Sequence, residues 1–287
     1  MKLAVVGLGL IGGSLALDLH SNRFVREVLG VDESKSHAEE AMKLKLLDRN
    51  CTLEEACAEA DLVVIATPVS SIANLLPRIL DLVSPQATVT DVGSTKSQIS
   101  KLISGHKNRK QYVASHPMAG TEFSGPSAAV RGLFQGKAAV ICDQEESDPR
   151  CVRVIEQMYE ALQMRLVFMN SHEHDLHAAY VSHLSHISSF VLANTVLEKE
   201  KDVDAIFNLA SGGFESTVRL AKSSPEMWAP IFEQNETFIA EALGEYIERL
   251  KQFHQSILSK EFNETKKYMK NANEIRRILL QIGNKGK

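Results

Sequence analysis

Through the first 170 residues, short apolar runs rich in β-branched side chains alternate with segments whose apolar residues return with helical spacing. The runs lie at 2–6, 28–31, 62–66, 88–92, 112–115 and 138–142. Unbroken stretches such as 62–66 suit strands buried on both faces of a parallel sheet. Helical spacing fills 34–47 and 70–83, and a last helix–strand pair is expected at 149–162 and 165–169. This alternation predicts βαβ units in a doubly wound sheet. Strand patterns stop at Asn170. Helical spacing then covers 171–199, 203–210, 225–251 and 259–280, and the last residues, from Gly283, are expected to fray. The chain therefore reads as an α/β domain over 1–170, with a doubly wound parallel sheet, followed by an all-α domain over 171–287.

Gly7-Leu8-Gly9-Leu10-Ile11-Gly12 follows the first strand and opens a helix. Gly7 allows a tight turn, Gly9 lets a pyrophosphate approach the backbone, and Gly12 lets helix and strand pack closely. The helix N-terminus offers free N–H groups and a positive dipole end, so the whole stretch, Leu8, Leu10 and Ile11 included, is assigned to a dinucleotide. Asp32 ends the second strand, where a carboxylate bonds a ribose 2′-hydroxyl and repels a 2′-phosphate. The first domain is thus Rossmann-type and its cofactor NAD rather than NADP. Ligands bind beyond the carboxyl ends of parallel strands. Three more ends should line that crevice: Ala66-Thr67-Pro68, the segment from Asp91 through Ser94 to Lys96, and Ser115-His116-Pro117. Thr67, Pro68 and Ser94 are expected on the cofactor side.

Charge and cysteine content narrow the setting. Thirty-two Lys and Arg against 36 Asp and Glu give a net charge of -4, without the concentrated basic face that nucleic acid requires. No apolar stretch is long enough for a membrane span. Four cysteines without CxxC spacing suit free thiols in a reducing cytoplasm.

His116 is the leading candidate for chemistry. Pro117 holds it extended, and a neutral imidazole can take a proton from a carbinol as hydride leaves for nicotinamide. Ser94, one strand earlier, could bond the imidazole or cap the helix that starts near Thr95. His174, Ser182 and His186, spaced by 8 and 4, fall on one helical face, while His177 and His183 fall off it. The histidine pairs form no closed metal set, and no metal is expected. Arg219 follows Gly212-Gly213, which suggest a tight approach before a helix; its guanidinium fork suits a substrate carboxylate. Trp228 is expected at an interface or the rim of the site.

DVGSTK at 91–96, SHPMAGTE at 115–122, SHLSH at 182–186 and SGGFESTVRLAKSSPEMW at 211–228 resemble the prephenate/arogenate dehydrogenases of tyrosine biosynthesis. The resemblance runs from the glycine-rich loop to about Asn235. It implies hydride transfer from the carbinol carbon of prephenate to NAD, loss of the ring carboxylate as carbon dioxide, and aromatisation to 4-hydroxyphenylpyruvate. It implies that His116 accepts the hydroxyl proton and that Ser94 orients it beside the nicotinamide. Ser182 and His186 would lie in the substrate pocket, with His174 grouped among them, and Thr121 and Glu122 at its mouth. Arg219 would bind a substrate carboxylate. The helical domain would build a homodimer, and the Trp228 segment would reach the partner's site.

Two positions depart from that family. Ser185 stands where a proline is frequent, which would alter the helix that carries His186. Ser216 stands where some relatives have Asp. The chain opens on the first strand and ends in helices, so neither a fused chorismate mutase domain nor a strand-rich regulatory domain is expected. Three other activities compete: an arogenate dehydrogenase giving tyrosine directly, a 3-hydroxyacid dehydrogenase of the 6-phosphogluconate type using Lys222, and a non-catalytic NAD sensor.

Overall fold

The structure, a computed structural model, describes residues 1–201 and 206–285, with side chains as far as Gln281. Its strands are β1 (Lys2–Val6), β2 (Glu27–Val31), β3 (Arg49–Asn50), β4 (Leu62–Ile65), β5 (Thr88–Asp91), β6 (Tyr112–Pro117), β7 (Ala138–Cys142) and β8 (Arg165–Met169). They form one sheet in the order β3-β2-β1-β4-β5-β6-β7-β8. The order reverses between β1 and β4, which opens a crevice at their carboxyl ends.

Helices α1 (Leu10–Ser21), α2 (Lys35–Lys43) and α6 (Pro149–Ala161) cover one face. On the other lie α3 (Leu53–Glu59), α4 (Val69–Leu82) and α5 (Ser97–Leu102). Leu3 and Val5 point into the first layer, Ala4 and Val6 into the second. Burial on both faces is why these strands read as continuous apolar runs.

Several elements differ from the sequence expectation. β7 runs antiparallel to β6, and β8 parallel to β7. A parallel return needs a crossover element, and 118–137 holds a short 3-10 turn at Pro126–Ala128 in place of one. α2 stops at Lys43, ahead of the expected 47, where Lys45 turns left-handed at φ 57°. α3 was not expected, although Thr52 and Glu55 form the capping box that opens it.

The helical half starts from a second capping box, Asn170 with Glu173. α7 (Ser171–Ala178) and α8 (Leu184–Glu200) are one run interrupted by a π-helical turn at Ala179–His183. Of the segment expected at 203–210, Val203 to Ala205 lie outside the described residues, and Ile206–Leu209 is a 3-10 turn. Then come α9 (Gly212–Val218), a 3-10 turn at Arg219–Lys222, α10 (Pro225–Gln234) and α11 (Glu236–Leu258). The expected single helix at 225–251 breaks at Asn235, whose amide turns inward to donate to Asp175 O at 2.8 Å. The last stretch is also two helices, α12 (Phe262–Ala272) and α13 (Ile275–Lys285). α13 is helical through the start of the tail expected to fray; Gly286 and Lys287 lie outside the described residues. Among the described residues no helix is long and apolar enough to cross a membrane.

Candidate active site

The crevice between β1 and β4 is shaped for a dinucleotide. Gly7 has φ 97°, and a Cβ there would stand 2.7 Å from the carbonyl carbon of Ala66. A Cβ on Gly12 would stand 2.0 Å from Gly7 O, so α1 packs on the turn without side chains between them. Gly9 is different: a Cβ there meets nothing within 4 Å, and the space above it is open. Gly9 caps α1 with no side-chain bond, which leaves the first-turn N–H groups facing that space. Asp32 is locked at the end of β2, where its carboxylate accepts from Leu8 N and Ser34 N, both at 2.9 Å. Leu8 and Leu10 bury their side chains in the core, so their backbone is what faces the crevice. Thr67 Oγ1 is buried and without a partner, and Pro68 caps α4 at the same edge. The residues fit a dinucleotide's phosphates and ribose.

His116 lies in β6 on the same face as Tyr112 and Ala114, and is 9% exposed. Its Nδ1 sits 2.9 Å from Nε2 of His174. That position was expected for Ser94, which forms no bond to the ring among the described residues. Nor does Ser94 cap α5, whose first residue is Ser97. The cap is tertiary: Asp175 accepts from Lys96 N and Ser97 N, both at 2.8 Å. Burial holds the His116 pKa well below 6.5, with help from the His174, Lys96 and His183 charges. The ring is therefore neutral at pH 7, as a proton acceptor must be.

Two residues expected to line the crevice do not. Asp91 and Lys96 are fully buried and paired with each other beneath it. Tyr112 Oη and Gly93 N also donate to Asp91, so that carboxylate is spent on the interior. A buried ion pair persists when its remaining lone pairs are satisfied, and here they are.

The π turn rearranges the histidines of the helical half. A wider turn retards the helix and moves later side chains around its axis. His174, expected in the substrate pocket with Ser182 and His186, instead lies behind His116 at 2% exposure. His183, expected off the stripe, is buried beside it; its Nδ1 accepts from Asn235 Nδ2 at 3.1 Å, and burial lowers its pKa to about 4. The sequence carries no signal for this, because a π turn shifts rotational phase without changing the residue pattern. Ser182 is half-buried in the turn, and its carbonyl accepts from His186 Nδ1 at 3.0 Å. His186 is half-buried, and burial lowers its pKa.

Trp228 stacks on His186 and packs with Ile231 and Phe232 against the sheet. It is 7% exposed and packs on its own chain's His186. Arg219 Nη1 lies 3.6 Å from Glu122 Oε2, which joins the helical half to the loop after β6. Ser216 takes no part in that pair; its hydroxyl donates to Gly213 O. The tight approach expected at Gly212 and Gly213 is absent, since a Cβ on either meets nothing within 4 Å. Thr121 and Glu122 line an open cavity of about 700 Å³ with Phe123, Ser124 and residues 127–130. Lys222, the base of the hydroxyacid reading, is exposed, and no contact joins it to His116.

Known proteins share this fold. Residues 15–168 match the family described as prephenate dehydrogenase, nucleotide-binding domain, and residues 170–271 that described as prephenate dehydrogenase, dimerization domain. The sequence is similar to prephenate dehydrogenase from Bacillus subtilis (strain 168), 30% identical over 275 residues, or 95% of this chain and 74% of the relative. The fold is similar to prephenate dehydrogenase from A. aeolicus in complex with hydroxyphenyl propionate and NAD+, at TM-score 0.87, 27% identity and 98% of each chain. It is also similar to Synechocystis arogenate dehydrogenase, at TM-score 0.76 and 29% identity, over 97% of this chain and all of that one.

Proposed function

Since the chain belongs to the prephenate dehydrogenase family, we propose that it oxidatively decarboxylates prephenate to 4-hydroxyphenylpyruvate with NAD. The observation that carries this reading is a neutral imidazole, His116, at the carboxyl end of β6, on the same edge of the sheet as the open glycine cradle after β1.

His116 Nε2 takes the proton of the substrate's ring hydroxyl. Bound NAD supplies the acceptor for the hydride of the carbinol carbon. The ring carboxylate leaves as carbon dioxide, and aromatisation makes the step irreversible. Arg219 holds a substrate carboxylate. His186 and Ser182 line the ring's pocket with Trp228 behind them, and Thr121 and Glu122 stand at its mouth. Ser94 would stand on the cofactor side of the site. Gly7 to Gly12, Asp32, Thr67 and Pro68 hold the cofactor, and the Asp32 carboxylate sets NAD over NADP.

In this reading residues 1–170 bind NAD, and 171–287 bind substrate and join two copies into a homodimer. An uncovered apolar surface supports the dimer: Leu250, Leu258, Phe262 and Leu279 are 50% to 63% exposed on α11, α12 and α13. Four free cysteines support a reducing cytoplasm.

The test is absorbance at 340 nm, crossing prephenate and arogenate with NAD and NADP. Reduction of NAD by prephenate is expected. Reduction with arogenate alone would assign the chain to the sister activity. His116→Asn should lose about 100-fold or more in turnover and still bind NAD.

A further inference from the structure

Behind His116 three side chains stand in line. His174 Nε2 lies 2.9 Å from His116 Nδ1, and His174 Nδ1 lies 2.8 Å from Asp175 Oδ1. His174 and Asp175 are 2% and 1% exposed, so both sit behind the base rather than against a ligand. The direction of each hydrogen bond follows from the far end. Asp175 Oδ1 faces Lys96 N and Oδ2 faces Ser97 N. A carboxyl group with both oxygens against N–H donors is ionised and accepts only. Burial pushes the Asp175 pKa up, but the His174 and Ser97 bonds outweigh it and hold it below 3.8. His174 Nδ1 must then carry a proton, and a ring with that single proton presents Nε2 as an acceptor. His116 Nδ1 must therefore donate. The lone pair of His116 falls on Nε2, the edge that has no partner among the described residues.

We propose that His174 and Asp175 are positioning residues for the dehydrogenation: they hold His116 as the Nδ1–H tautomer with Nε2 open to the substrate hydroxyl, and His174 takes over the positive charge when that proton arrives. The step balances. The substrate O–H bond breaks and an Nε2–H bond forms on His116. The Nδ1–H of His116 passes to His174 Nε2. His116 ends neutral, and His174 ends as an imidazolium against the Asp175 carboxylate. The electron pair of the carbinol C–H leaves as hydride to the nicotinamide, which the reaction already supplies.

The surrounding charges favour that displacement. Burial and Lys96, the latter paired with Asp91 after β5, disfavour a proton on His116, whereas His183 opposes a charge on either ring. Asp175 lies against His174 instead. Without this line His116 could rotate between tautomers, and the Nε2–H form cannot accept a proton. The inference rests on His116 being the base, as proposed above.

Two variants and one measurement on the unaltered chain test it. His174→Gln keeps an acceptor for His116 Nδ1 but cannot hold charge, whereas His174→Leu removes both. We expect kcat to fall about 10-fold in the first and about 100-fold or more in the second. The Kd for NAD should not move, and the acid limb of the pH profile should be displaced. His174→Leu with kcat within about threefold of the parent and an unmoved pH profile would overturn the proposal. The direct readout is nitrogen-15 NMR of the full chain with labelled histidines, assigning His116 by its loss in His116→Asn. Near neutral pH its Nδ1 should be protonated and its Nε2 bare; a protonated Nε2 would overturn the proposal whatever the variants do. Because the NMR readout needs no turnover, it stands apart from the substrate assignment: an inactive parent counts against prephenate, not against the line of residues.

Discussion

His186 and Trp228 lie face to face, their ring centroids 3.5 Å apart and their planes 28° from parallel. Trp228 is the single tryptophan of the chain, so its emission reports one wall of the site. Burial lowers the His186 pKa from 6.5, the bond to Ser182 O opposes this, and Arg219 reinforces it. The stacked imidazole is therefore neutral at pH 7 and becomes a quenching cation in acid. Emission should be flat above pH 7 and fall as pH drops below 6.5. His186→Leu should remove most of that dependence. An unchanged titration in the variant would mean that another group is being read.

Gly9 and Gly12 should separate cofactor binding from folding. A Cβ at Gly9 meets nothing, while one at Gly12 stands 2.0 Å from Gly7 O and 2.9 Å from Val5 Cγ1. Gly9→Ala is expected to keep Tm and weaken NAD about 10-fold, or about 1.4 kcal/mol. Gly12→Ala should cost about 3 kcal/mol of stability, because backbone and core must move to admit the methyl. Calorimetry of unfolding and of NAD binding reads both, and the opposite ordering would refute the cradle described above.

Acid should destabilise the protein well before carboxylates protonate. His116, His183 and His186 all have pKa values lowered by burial. The unfolded chain binds protons there near pH 6.5 and the folded chain does not, so stability is full above 6.5 and lost as pH falls. For His183, lowered to about 4, the loss at pH 5 is about 2 kcal/mol. Asp175 is held below 3.8 and contributes only in stronger acid. Urea midpoints at pH 7.5 and 5 measure the difference. His183→Gln should shrink it, and equal midpoints would contradict a neutral buried cluster.

Arg219 meets Glu122 at 3.6 Å with 52% of its side chain exposed. Such a pair is screened and worth little, so the guanidinium is available to a substrate carboxylate. Arg219→Ala should raise KM for prephenate about 10-fold or more and leave NAD binding unchanged. Arg219→Lys should recover only part of this, since an ammonium cannot fork around a carboxylate. An unchanged KM would place the anion site elsewhere.

Beyond Ala242, none of the described side chains is buried. Ile247, Leu250 and Leu258 on α11 and Leu279 on α13 are 42% to 62% exposed there, and large apolar side chains left in water together suit an interaction surface. Leu250→Glu combined with Leu258→Glu should convert a dimer to monomers in sedimentation. A parent that sediments as a monomer would refute the dimer directly.

The parts of this protein legible in its residues are those that depend on near neighbours. The glycine turn, the Asp32 carboxylate and the Asn170 helix cap each follow from chemistry within a few positions. So does His116 at a strand end, because the strand period and the proline after it are local. The residues around His116 were not legible in the same way. His174 is 58 positions away from it, and Asp175 caps a helix 78 positions upstream. Ser94 stood nearer in the expected crevice, yet the bond went to a ring carried in by the helical half. The π turn that accompanies this reversal and the break at Asn235 have the same origin. Each is a compromise in local geometry, imposed where two distant pieces of chain must satisfy buried polar groups against each other. Periodicity records which face of an element is apolar. Which partner meets that face, and in which rotational phase, is decided when the domains pack.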